Sequence, residues 1–323
     1  MIPLRDTTPS RNIAVATYSI IGLNFVAYWV QIAHGNQLDQ FIYIYGLVPA
    51  RYSVPQLSAY FTMGQQLFSL VSFMFLHGGF WHLLSNMWSL YIFGDNVEDY
   101  LGPLRYVVFY LLCGFASGLS HLLLNQESNI PTIGASGAIA GVMGAYFLLH
   151  PNARILTLIP IIIIPYFIEI PAFFFLGFWL FLQIINAAGS HGAGGIAWWA
   201  HIGGFIFGII FLKLFNALPS FGMTSGIRRI TAKKKSHRLQ IIRPIGPGDD
   251  PHLYGTIIIT PHEARTGVQK LVNIPWGFQK RMVRITVPPG IEAGSQLRLK
   301  GLGKLMGDGN DKGDLFLKVV VRQ

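Results

Sequence analysis

Residues Ile13–Ala33 contain no charged side chain and are long enough to cross a bilayer, which takes about 20 residues in a helix. In hydrocarbon every backbone N–H and C=O must find a partner within the protein, so such a run commits the chain to self-satisfying helices. Comparable runs recur at about 81–100, 106–124, 136–150, 171–187 and 196–215, giving six expected spans. The apolar stretch Phe61–Phe80 is interrupted by Gln65, Gln66 and His77-Gly78-Gly79 and is expected to lie at the membrane interface. Residues 155–170 are apolar but broken by Pro160, Pro165 and Glu169, and are expected to form an irregular lead-in to the fifth helix.

Charge fixes the orientation and divides the chain. Only 12% of the 323 residues are charged, against about 25% in soluble domains. Residues 1–216 hold six basic and seven acidic side chains, whereas 217–323 hold 18 basic and seven acidic. With the N-terminus in the cytoplasm, Arg5, Arg11, Arg105, Arg154, Lys213 and the cluster Arg228–Lys235 all fall inside, and Arg51 alone falls outside. Both ends are therefore expected in the cytoplasm. The first run lacks a small-residue cleavage site and reads as a retained anchor. Cys113 is the single cysteine, which excludes an intramolecular disulfide and a cysteine-based zinc site.

The fourth span is short. From Ser136 to His150 a helix covers about 21 Å of a core roughly 30 Å thick, so Ser136 is expected on the order of 9 Å below the outer surface. Its surroundings, Gly134-Ala135-Ser136-Gly137, fit either a nucleophile set on free helix N–H groups or the capped start of a tightly packed helix. Small residues Gly137, Gly141 and Gly144 form one stripe on this helix, and Ala197, Ala200, Gly204 and Gly208 form another on the sixth. Pairing the stripes brings Ser136 near His201, a nucleophile and its base. His82 and Asn86, four apart on the second span, reach a similar depth and with the Ser136 N–H could hold an oxyanion. Each polar group alone also fits interhelical hydrogen bonding. No carboxylate lies at that depth to complete a metal site with His82 and His201, because Asp95, Glu98 and Asp99 sit at the other end of their span.

The motifs His77-Gly-Gly-Phe-Trp-His82-Leu-Leu-Ser-Asn86, Phe93-Gly94-Asp-Asn-Val-Glu98, Gly134-Ala-Ser136-Gly137 and Ala200-His201-Ile-Gly-Gly204 resemble those of the rhomboid intramembrane serine proteases, over about residues 10–216. The resemblance implies the six-helix rhomboid fold, an all-α polytopic membrane domain without cofactor or metal. It implies Ser136 as nucleophile, His201 as general base, and His82, Asn86 and the Ser136 amide as the oxyanion hole. Gly134, Gly137, Gly141, Gly204 and Gly208 are read as supporting helix packing. Two departures stand out: the first loop has no Trp-Arg pair, and Ala140 occupies a place where some members carry an aromatic ring beside the histidine. Gly189, Gly192, Gly194 and Gly195 form a candidate lid before the last span.

Residues 217–250 read as a basic, Pro/Gly-containing linker whose Arg228, Arg229 and Lys233–Lys235 would attract anionic headgroups. No stacking aromatics surround that run, so nucleic acid is not an expected partner. From 251 to 323, alternating runs separated by Gly and Pro turns predict a small all-β cytoplasmic domain. Pro261-His-Glu-Ala-Arg-Thr-Gly267, Val287-Pro-Pro-Gly-Ile-Glu-Ala-Gly294 and Leu299-Lys-Gly-Leu-Gly303 resemble the C-terminal β-sandwich of DnaJ-type co-chaperones. The J-domain His-Pro-Asp motif and the zinc-binding cysteine repeats are missing. Together the resemblances imply an endopeptidase acting on transmembrane protein substrates from within the lipid bilayer, in a bacterial cytoplasmic membrane, with its site open to the outer face. The tail would bind unfolded peptide clients or self-associate. The rival class is a non-proteolytic quality-control scaffold using the same grooves.

Overall fold

The computed structural model describes residues 1–8, 10–161, 164–189, 197–218, 231, 239–242, 244–246, 250–276, 279–304 and 312–322. The chain divides into two compact units, Met1–Lys233 and Lys234–Gln323. The proposed lid glycines Gly192, Gly194 and Gly195, the basic residues Arg228, Arg229 and Lys233–Lys235, and much of the expected linker lie outside the described residues.

The first unit opens with strand β1 (Ile2–Asp6) and helix α1 (Val15–Ile32). The loop that follows carries α2 (Leu38–Tyr45), two single-turn helices α3 (Ala50–Ser53) and α4 (Pro55–Ser58), and α5 (Met63–Ser72). Arg51 ties this loop down: it is fully buried, donates to the carbonyls of Tyr43 and Ile44, and lies 3.7 Å over the Phe61 ring. The segment Met63–Phe75 meets helix α6 (Phe80–Leu101) at a bend of 76°, so the stretch 61–80 does not continue α6 as a straight span. Gly102, at φ 83, and Pro103 at the first position of α7 (Pro103–Leu124) make the tight reversal between α6 and α7. Helix α8 (Ser136–Leu149) is followed by strands β2 (Arg154–Ile161) and β3 (Ile164–Pro171), then α9 (Ala172–Gly189) and α10 (Trp198–Ala217). Helices α1, α7, α9 and α10 are each long and apolar enough to cross a membrane. With α6 and the shorter α8 they make, among the described residues, a polytopic bundle of six principal helices, to which a three-stranded sheet is added where an all-α domain was expected.

The N-terminus of α1 is capped from afar. Glu98, buried on α6, accepts from the backbone N–H of Ala16 (2.9 Å) and Thr17 (2.8 Å) and from the Thr17 hydroxyl (2.7 Å). Its carboxylate thus satisfies donors that a helix start leaves unpaired. Asp99 does the same for the segment before the helix, accepting from the N–H of Arg11 and Asn12.

Residues 155–170 are not irregular. They form an antiparallel hairpin with Pro160 opposite Pro165, and β1 adds to it in the order β1-β2-β3. The β-branched residues Ile155, Thr157, Ile159, Ile161, Ile164, Ile168 and Ile170 favour strand. The two prolines face one another near the end of the hairpin, where each costs the ladder little.

The second unit is a β domain. Its sheets run β4 (Leu239–Ile241), β6 (Val268–Trp276), β7 (Gln279–Val287) and β5 (Leu253–Ile259), β9 (Leu315–Val321), β8 (Gln296–Leu299), each in that spatial order. Ile257, Ile259, Val272, Ile285, Leu317 and Val319 contribute to one apolar core. A short helix α11 (Pro261–Thr266) is closed by a Thr260/Glu263 capping box. Lys270, almost fully buried, pairs with Glu263 at 2.7 Å and donates to the Ile258 carbonyl at 3.0 Å.

Candidate active site

Helices α8 and α10 touch backbone to backbone. A Cβ built on Gly204 would meet the Gly137 carbonyl, one on Gly208 would lie 2.5 Å from Gly141 Cα, and one on Gly141 would lie 3.2 Å from the Gly204 carbonyl. Gly137 faces the Ser117 hydroxyl of α7 in the same way. Only glycine permits this approach. It places the first residue of α8 against the first turn of α10, and the Ser136 Oγ lies 2.8 Å from His201 Nε2.

The imidazole is held on its other side too. His201 Nδ1 lies 2.8 Å from Gln183 Oε1 of α9, and Gln183 Nε2 donates to the Trp179 carbonyl at 3.3 Å. A carbonyl can only accept, so it fixes the glutamine with its amino group toward Trp179 and its oxygen toward His201. The histidine partners then assign the proton to Nδ1 and leave the Nε2 lone pair for the serine. The Trp179 and Trp198 rings flank His201 at centroid distances of 5.9 and 6.2 Å. Aromatic neighbours therefore come from α9 and α10, where Ala140 offers none.

Gly134, with φ 128, precedes the serine by two residues; a Cβ there would come within 2.9 Å of His82 Cε1 and 3.7 Å of Asn86 Nδ2. The Gly78 N–H donates to His82 Nδ1 at 3.3 Å, so the free proton of that ring is on Nε2, next to Gly134. Among the described residues, Asn86 Nδ2 is buried without a hydrogen-bond partner. As the first residue of α8, Ser136 keeps its own N–H outside the intrahelical ladder. These donors, with Ser136, His201 and Gln183, line one cavity of about 570 Å³. An unpaired donor in such a place is suited to a charge that exists only transiently. Among the described residues, no three His, Cys, Asp or Glu side chains converge as a metal site would need.

Gln183 was not evident from the sequence. The available signal is a pair of amides, Gln183 and Asn186, in the otherwise apolar span 171–187.

The rhomboid domain family model matches residues 64–217, the segment that carries the whole constellation. That segment of the N-terminal unit is similar to the rhomboid domain, over a little under half of the chain. The DnaJ C-terminal domain model matches residues 234–323. Curated relatives of the rhomboid domain include RHOMBOID-like protein 6, mitochondrial, of Arabidopsis thaliana, 39% identical over 25% of this chain and 26% of the relative. Rhomboid protein 1, mitochondrial, of Saccharomyces cerevisiae is 32% identical over 44% of this chain and 40% of the relative. Inactive RHOMBOID-like protein 8 of Arabidopsis thaliana is 34% identical over 26% of this chain and 23% of the relative. The matched segments thus span less than half the length of these relatives. The rhomboid domain and its apolar helices make the chain a multi-pass integral membrane protein.

Proposed function

We propose that this protein is an intramembrane serine endopeptidase that hydrolyses peptide bonds in or near transmembrane segments. The observation that carries the reading is the 2.8 Å contact between Ser136 Oγ and His201 Nε2 in a cavity lined by unused donors. His201 Nε2 takes the serine proton as Oγ attacks the scissile carbonyl carbon. The oxyanion is received by His82 Nε2–H, the Asn86 amide and the Ser136 N–H. Its collapse breaks the C–N bond, and the amine leaves with the proton from His201. Water, deprotonated by His201, then releases the acyl group from Ser136. Throughout, Gln183 Oε1 accepts from Nδ1–H and holds the ring in the productive tautomer.

Substrates are transmembrane proteins with small or helix-weakening residues at the cut, because a helical backbone hides its carbonyls. The basic residues on the loops support an orientation in which α1 is entered from the cytoplasmic side, the C-terminus is cytoplasmic and the cavity opens to the outer face. We assign the protein to a bacterial cytoplasmic membrane; the mitochondrial relatives mark an organelle membrane as the alternative. The DnaJ-type domain is proposed to bind unfolded peptide clients or to self-associate. A relative named as inactive keeps a non-proteolytic scaffold in play as a second reading.

Full-length protein in proteoliposomes with a panel of single-span substrates separates the two. Cleavage by the wild type that Ser136→Ala reduces by a factor on the order of 10⁴ or more, with substrate binding retained, supports the protease. A wild type that binds the panel and cleaves none of it supports the scaffold.

A further inference from the structure

The three-stranded sheet has no part in the chemistry above, and its first strand is a weak one. β1 pairs with β2 through Ile2–Leu158, Pro3–Thr157, Arg5–Leu156 and Asp6–Ile155, with a register shift between Pro3 and Arg5. Pro3 has no N–H to give to the ladder. No residue of β1 is buried, and Met1 and Ile2 remain 52% and 47% exposed. On β2, by contrast, Ile155 and Thr157 are fully covered.

The position of this weak strand gives it significance. Trp88 Nε1 donates to the Pro3 carbonyl at 2.6 Å, and further along the same helix Asn96 Nδ2 donates to the Asp6 carboxylate at 2.9 Å. β1 therefore runs along α6 with its Met1 end uppermost, and Met1 and Pro3 line the cavity that holds Ser136 and His201. Trp88 lies about 12 Å along α6 from Phe80, so the paired edge of β2 stands at membrane depth. Unpaired N–H and C=O groups of β2 are costly there, and β1 satisfies them from Ile155 to Leu158.

We propose that this edge of β2 docks an extended segment of a transmembrane substrate by strand addition, and that residues 2–6 hold the place until the substrate displaces them. The proposal rests on the protease reading for its catalytic consequence. Exchange keeps the N–H and C=O groups of β2 paired before and after, so the cost is that of releasing β1: its small buried surface and the hydrogen bonds that Trp88 gives to Pro3 and that Asn96 and Tyr146 give to Asp6. From Ile155 to Ile161 the strand β2 carries no charge, and the upper part of its present partner, Ile2-Pro3-Leu4, is apolar, so the segment that fits there is apolar. An incoming strand that runs in the sense of β1 has its amino end in the cavity. It would present to Ser136 the peptide bond at the amino end of the docked stretch.

The test is a reversible lock. Ile2→Cys with Leu158→Cys places cysteines at facing positions of the β1–β2 pair, while the native Cys113 is buried. Oxidation should lower cleavage of a single-span substrate at least about tenfold, with reduction restoring what the variant had before, while a small fluorophosphonate still labels Ser136. An oxidised protein that cleaves as fast as its reduced form overturns the proposal. A second arm needs no catalysis. In the same double-cysteine protein carrying Ser136→Ala, a panel of synthetic single-span peptides with Gly/Ala-rich juxtamembrane segments should slow disulfide formation at least about threefold. A panel in which no peptide slows it overturns strand docking. A wild type that neither cleaves nor labels sinks the protease reading instead, and the second arm still decides the docking.

Discussion

The cavity has two unlike walls. On one side α8 and α10 meet through glycines, and the backbone of each fills the space a Cβ would need on the other. On the other side, β1 lies half-exposed along α6, and α9 reaches the centre through one amide, Gln183. The first wall holds serine and histidine in register without adjustable parts. The second is made of elements that can shift at small cost. The difference suggests a division of labour in which the chemistry sits on the wall that cannot move and the substrate arrives through the one that can.

One substitution made on both sides is the strongest way to break that contrast. At Gly208 of α10 an added methyl would meet the Gly141 backbone, which has no flexible end to yield. Gly208→Ala is expected to cost about 3 kcal/mol or to part the helices, abolishing cleavage. At Gly177 of α9 an added methyl meets nothing within 4 Å, and Gly177→Ala should leave thermal stability and turnover unchanged or slightly improved. Equal effects of the two substitutions, read by thermal unfolding in detergent and by cleavage rate, would falsify the two-wall account.

A smaller effect is expected at the one bond that joins the walls. Gln183→Met keeps the volume but removes the acceptor for His201 Nδ1–H, and kcat should fall about 10- to 100-fold with KM little changed. Gln183→Glu retains an oxygen in place and should recover most of that loss. If both variants lose activity alike, or if Met costs nothing, Gln183 is packing and not a positioning group.

The mildest prediction lies outside both walls, in the DnaJ-type domain. Burial pushes the Glu263 carboxyl up, but the Lys270 ammonium and the Thr260 hydrogen bonds outweigh it and hold it below its ordinary value of 4.5. A depressed folded value contributes stability above the unfolded value and loses it as pH falls through the folded one. Acid below about pH 4.5 should therefore loosen the β domain by this route. Limited pepsin proteolysis of the domain across this range should report the change, and Glu263→Gln should remove this part of the pH dependence.

What could be read from the sequence, and what could not, divides along the same lines. The stripes Gly137/Gly141 and Gly204/Gly208 are visible because a rigid contact needs small residues at regular spacing, and that spacing is a local property of the chain. The polar residues His82, Asn86 and His201 stand out against an apolar background. Gln183 stands out no less, but nothing in span 171–187 says what it faces. The partners of β2 were hidden for a different reason. Residues 2–6 and 155–158 are about 150 positions apart, so neither segment announces the pairing, and Pro160 and Pro165 read as breaks until each is seen opposite the other.

The most direct measurement is the site of covalent labelling. Full-length protein treated with a fluorophosphonate and mapped by mass spectrometry should carry the adduct on Ser136 and lose it in His201→Ala. Wild-type protein that cleaves a transmembrane substrate yet carries no adduct on Ser136, or labels it equally without His201, would contradict the claim that these two residues form the catalytic pair.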